Sequence, residues 1–191
     1  MNAEFKAAKF NGICAALCLL VIELTKIFPA SEQLQTPLAV VRLIFLIAAL
    51  TLFHKSFHLI SQISGSNVCC TFRRAGIVTI IVLLCCAGFY LADRSLNMLI
   101  LFGVLPFLWC FLLFVWIVLN FKMARIAKSK IFSSYAFLLI AVATLHTLHS
   151  VQSLRAFTQP FLAVADLISD AVLPLLLVSV WASMRDFSNR S

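Results

Sequence analysis

The sequence predicts an all-α integral membrane protein: a polytopic bundle of about six transmembrane helices with no soluble domain. Three observations carry this reading. The chain has 191 residues, of which 63% are hydrophobic and only 12% are charged. Its mean hydropathy is +1.06. Its apolar residues, 18 Phe among them, fall in long runs rather than in alternating or amphipathic patterns. A soluble domain is about half apolar and about a quarter charged, so this composition does not suit a water-facing surface. The strands of a membrane barrel would alternate apolar and polar residues over short stretches, and the long runs exclude that.

Six runs approach the roughly 20 residues that a helix needs to cross a bilayer. They are Asn11–Pro29, Leu38–Phe53, Ala75–Ala92, Met98–Phe121, Ile131–His149 and Phe161–Trp181. The first run contains Glu23 and Lys26, and the second is short and contains Arg42. A re-entrant pair in their place would lower the count to four. Lys6 and Lys9 ahead of the first run give it the look of a signal peptide, but no small-x-small cleavage site follows and Glu23 interrupts it. An uncleaved first span is therefore expected. The connections are short. The longest, 55–74, carries a loop signal at Ser-Gly-Ser-Asn, and 122–130 (KMARIAKSK) is a compact basic turn. These two connections and their flanks share a layout that hints weakly at a two-helix repeat, although basic flanks at inner span ends give the same look.

Basic residues set the expected orientation. With six spans, Lys6, Lys9, Lys55, Arg73, Arg74, Lys122, Arg125, Lys128, Lys130, Arg185 and Arg190 fall on one side, and Lys26, Arg42, Arg94 and Arg155 on the other. This bias predicts a multi-pass protein of the cell inner (plasma) membrane with both termini in the cytoplasm. The formal charge of +8 is then a property of the cytoplasmic face. Topology and anionic membrane lipid account for it. Nucleic acid is an unlikely partner, because the bases are scattered and belong to no recognition module. Arg73, Arg74, Lys122, Arg125, Lys128 and Lys130 are the candidate contacts for lipid or for a protein partner.

The seven cysteines are Cys14, Cys18, Cys69, Cys70, Cys85, Cys86 and Cys110. None falls in an outer loop, so no disulfide framework is expected. His54, His58, Cys69 and Cys70 gather near the inner face. Adjacent cysteines make a poor chelate, and no metal site is expected. The pairs His54/His58 and His146/His149 lie at opposite ends of the bundle and cannot clamp one haem; no cofactor is expected. Trp109 and Trp116, seven apart, share a face and read as packing residues. Gly103 and Pro106 are expected to bend the fourth span.

The most informative stretch is LAVADLISDAVLP, residues 162–174. Asp166 and Asp170 form a narrow polar stripe on one helix face. An acid in mid-membrane costs roughly 2.5–3.5 kcal/mol on insertion scales, so it should face the bundle or water rather than lipid. Pro174 lacks the N–H that would bond the carbonyl of Asp170. Glu23, Lys26, Arg42, His146 and His149 fall in the same outer half and complete an intramembrane polar cluster. Structural pairing, above all Arg42 with Asp170, is the preferred reading. A solute, cation or proton pathway and a subunit contact are the alternatives. No catalytic motif appears, and an enzyme is not expected. The functional expectation is a non-enzymatic membrane subunit: an anchor, sensor or effector component of a larger system such as stress response, secretion or phage defence. It would work as a homo-oligomer or with a cytoplasmic partner. The alternative is a small transporter or channel. Reporter fusions at Ser191 and within 122–130 should both read cytoplasmic; a periplasmic signal from either would overturn the topology.

Overall fold

The computed structural model describes residues 3–27, 32–92 and 100–185. Among them the chain is helical apart from short turns. Helix α1 is Ala3–Ile27, α2 is Glu32–Ser64 and α3 is Val68–Ala92. A π turn at Ile100–Val104 leads into α4, Leu105–Ala127, which is followed by α5, Lys130–Ser150. After a 3-10 turn at Gln152–Leu154, the last span is α6, Arg155–Leu167, a second π turn at Ile168–Val172, and α7, Leu173–Ala182. Six segments are thus long and apolar enough to cross a membrane. The first two are full-length helices, so the four-span alternative falls away.

Helix boundaries differ from the expected spans mainly in α2, which runs on past Phe53 to Ser64. Its last third is amphipathic. Phe53, Ser56, Phe57 and Ile60 are buried while His54, Lys55 and His58 are exposed, so a 3.6-residue pattern carries the helix beyond the greasy run. Gly65, at φ 64, takes the left-handed conformation that stops it. Both π turns end two residues before a proline, at Val-Leu-Pro 104–106 and 172–174. Proline has no N–H and its ring crowds the preceding turn. A wider turn accommodates this, and the Leu173 N–H bonds the Ile168 carbonyl five residues back. The bend expected from Gly103 and Pro106 takes this form.

The helices form a closed ring in chain order. Each span packs on the next, and α7 returns to α1. Ala8, Gly12, Ala15 and Ala16 give α1 a small-residue face on which α2 and α7 seat closely. The Ser56 hydroxyl donates to the Ala8 carbonyl at 2.8 Å inside the α1–α2 contact. Lys9 Nζ donates to the Met184 carbonyl at 3.0 Å and closes the ring at the end holding residues 3 and 185. A cation is favourable against the free carbonyls of a helix C-terminus.

The core lies at that same end. Trp181 is buried, with ring centroids 6.0 Å from Phe53, 5.9 Å from Phe57 and 5.8 Å from Phe132. Trp116 stands 5.1 Å from Phe53 and donates its indole N–H to the Tyr135 hydroxyl at 3.4 Å. Trp109, expected on the same packed face, is exposed. It belongs to the far half of the bundle, where Ala165 and Thr158 are among the few buried side chains. The Trp181 ring lies so close to the α1 backbone at Gly12 that a Cβ there would overlap it. Overpacking of this kind costs about 1–3 kcal/mol. Gly12→Ala should therefore lower the unfolding temperature in detergent, and adding Trp181→Leu should recover part of the loss. An unchanged Gly12→Ala melting curve would show that the ring is not seated there.

Candidate functional site

The expected polar cluster, at the end of the bundle away from residues 3 and 185, breaks into local contacts rather than one network. Glu23 and Lys26, one turn apart on α1, pair at 2.6 Å. His146 Nε2 on α5 meets Asp166 Oδ1 on α6 at 3.1 Å, with side-chain exposures of 41% and 56%. A contact this exposed contributes little on its own. His149 Nδ1 lies 2.9 Å from the hydroxyl of Thr158, which is 1% exposed and donates back to the Leu154 and Arg155 carbonyls. The two histidines thus tie α5 to the start of the last span.

Arg42 does not reach an acid within its own chain among the described residues. Its Nε donates to Thr25 Oγ1 at 2.9 Å and its Nη2 to the Thr25 carbonyl at 2.8 Å. The Thr25 hydroxyl in turn donates to the Ile22 carbonyl at 2.7 Å. This fork joins the outer ends of α1 and α2. Thr25 carries no sequence signal that would single it out as the acceptor.

Asp170 also departs from expectation. It is exposed, and among the described residues its carboxylate has no ion pair or hydrogen bond. In a straight helix, 11 residues make close to three turns, so Asp170 would share the face of Trp181 and point into the core. The π turn at Ile168–Val172 adds a residue to the path, and part of the roughly 100° that one residue represents rotates Asp170 off that face.

At the end of the bundle that holds residues 3 and 185, Arg73, Arg74, Arg125, Lys128 and Lys130 are exposed. Lys122 is not a free base. Its ammonium donates to Asn67 Oδ1 at 3.1 Å and Thr71 Oγ1 at 2.9 Å, pinning α4 to the start of α3. This crosslink holds the start of α3, which carries Arg73 and Arg74, to the end of α4 that leads into the α4–α5 turn. Lys128 stands out on backbone grounds, since it holds φ 48, ψ 39 with its N–H bonded to the Ala124 carbonyl. That left-handed cap normally selects glycine.

The thiols and imidazoles form no larger centre. All seven cysteines are free. Cys69 Sγ comes to 3.9 Å from His54 Nε2, and the His54 and His58 rings lie parallel with centroids 6.5 Å apart. Among the described residues no three His, Cys, Asp or Glu side chains gather as a metal site would require. No protein-family model, curated protein or solved structure matches this chain.

The His149–Thr158 contact has a measurable weight. A double-mutant cycle of His149→Ala and Thr158→Val should return a coupling of about 1 kcal/mol in detergent stability. A coupling near zero would mean that the α5–α6 junction is held by apolar packing alone.

Proposed function

We propose that the chain is a non-enzymatic multi-pass subunit of a cell inner membrane, an anchor, sensor or effector component, whose basic inner face docks an acidic cytosolic partner. Lys128 carries the reading. A lysine in the left-handed conformation costs roughly 1–2 kcal/mol that glycine would not. A turn that keeps charge where the backbone favours glycine fits a surface held for its charge. Arg73, Arg74, Arg125 and Lys130 are exposed at the same end of the bundle, where Lys122 ties α4 to the start of α3. Membrane orientation alone needs bases near span ends; it does not need one in a strained position.

A second reading, a small transporter or channel, draws on a different observation. The aromatic core of Phe53, Phe57, Trp116, Phe132 and Trp181 fills the inner half, while Glu23, Arg42, His146, Asp166 and Asp170 stand in the sparsely packed outer half. A carrier open to the outside and closed to the inside has that distribution. Solute or proton flux into liposomes that Asp166→Asn abolishes would support it over the docking reading.

The docking reading makes two linked predictions. Neutralising Arg73, Arg74, Arg125, Lys128 and Lys130 to Gln should weaken partner recovery from native membranes. The wild-type complex should also loosen as salt rises, because exposed charges are screened over about 8–10 Å at physiological ionic strength. Lys128→Gly alone should raise stability by about 1 kcal/mol while still reducing recovery. Full recovery from the five-site variant would leave these bases with orientation as their only role.

A further inference from the structure

Three charged groups of the outer half are left without a counter-ion among the described residues: Asp170, Arg42 and Arg155. Asp170 is exposed in the π turn between α6 and α7, and Arg42 spends its two directed hydrogen bonds on the neutral Thr25. Other charges nearby are matched locally: Glu23 by Lys26 on α1, and Asp166 by His146. Arg155, at the start of α6, stands 15 residues along the last span from Asp170, about 22 Å at the helical rise, so Arg42 is the unmatched cation closest in level to Asp170.

They stand at the same level of the bundle. On one side of α1, antiparallel α7 places Trp181 against Gly12. Counting outward from that contact along both helices brings Asp170 level with residue 23 of α1, and the π turn that holds Asp170 packs on α1 directly. On the other side of α1, Arg42 is bonded to Thr25. The two levels differ by two residues, about 3 Å at the helical rise. Within one chain α1 stands between them, so they flank it on neighbouring helices.

We propose that the face made by α2, α1 and α7 docks a second copy of this chain around a two-fold axis, with Arg42 of each copy paired to Asp170 of the other. A two-fold axis running beside α1, between the two copies, sets α2 of one copy opposite α7 of the next, and the converse. The cation and anion then meet twice, at one level, with no further charge needed. The face is self-complementary, which selects a second copy over lipid, since lipid tails offer Asp170 nothing. Between the two pairs α1 exposes Phe10, Leu17 and Leu24. Their seven-residue spacing suits a helix seam, although exposed apolar residues on a membrane span equally face lipid. The charge arrangement is the argument, and it rests on the membrane-spanning reading above.

Two differently tagged chains are co-expressed and reconstituted in lipid nanodiscs. One carries Arg42→Asp and the other Asp170→Arg. Each altered chain should capture a like copy at least about tenfold less than wild type captures itself, because like charges then face each other twice. The mixed pair should recover capture, since both crossings again join opposite charges. A pairing within one chain would give no recovery in trans. If reversed charges prevent folding, Arg42→Gln and Asp170→Asn keep the test open: each alone should reduce capture, and both together in every copy should restore much of it. The proposal is overturned if wild-type copies do not capture each other, if the mixed pair captures no better than the like pairs, or if no variant changes capture. Such a failure leaves the basic inner face untouched, because that docking is read at the opposite end with a different protein.

Discussion

The seat of Trp181 over Gly12 holds the rest of the structure in place. The ring belongs to the last span, lies on the first, and touches Phe53 and Phe57 of the second and Phe132 of the fifth. A six-helix ring built from chain neighbours needs one contact that returns the end to the beginning. A large aromatic against a bare backbone supplies it with many dispersion contacts at short range. Lys9 on the Met184 carbonyl and Ser56 on the Ala8 carbonyl then fix the same end by hydrogen bonds.

That closure explains the unequal halves. Side chains that converge at the end holding residues 3 and 185 leave the opposite ends joined by isolated polar links: Arg42 to Thr25, His149 to Thr158, His146 to Asp166. Links of this kind fix which helices are neighbours without filling the space between them. The outer half is consequently the part of the molecule with groups still available to something else. At the inner end the same availability is confined to the surface, where Lys122 is consumed in holding α3 to α4 and the remaining bases point outward.

Much of the fold could be read from the sequence because it depends on run length. Six greasy runs give six spans whatever their packing. The Ser-Gly-Ser-Asn signal falls on the turn after α2, and the Val-Leu-Pro sites fall on irregular backbone. What the sequence concealed depends on phase and partner. The extension of α2 was hidden because hydropathy sees Phe53 to Ser64 as polar, while its buried face is apolar. The exposure of Asp170 was hidden because a π turn breaks the count of residues per turn. Arg42 was matched to acids by charge, yet a hydroxyl and a carbonyl one helix away offered two acceptors in fork geometry. Lys122 was grouped with its basic neighbours although Asn67 and Thr71 reach it across a turn. Neighbour identity of this kind is tertiary, and no local pattern records it.

The length of α2 has a bearing on the lipid itself. Its 33 residues make a rod about 50 Å long, whereas the hydrocarbon layer of a typical bilayer is about 30 Å thick. The helix cannot stand upright and be wholly immersed. It must lean, or carry its amphipathic last third beyond the acyl chains as a short stalk bearing Lys55 and His58. Since α1, α3 and α5 have 25, 25 and 21 residues, the mismatch is shared only with the last span, which runs 31 residues from Gln152 to Ala182 and is broken by a π turn. A thicker bilayer would draw that stalk in and a thinner one would tilt it further. The angle of α2 to its neighbours would then follow membrane thickness.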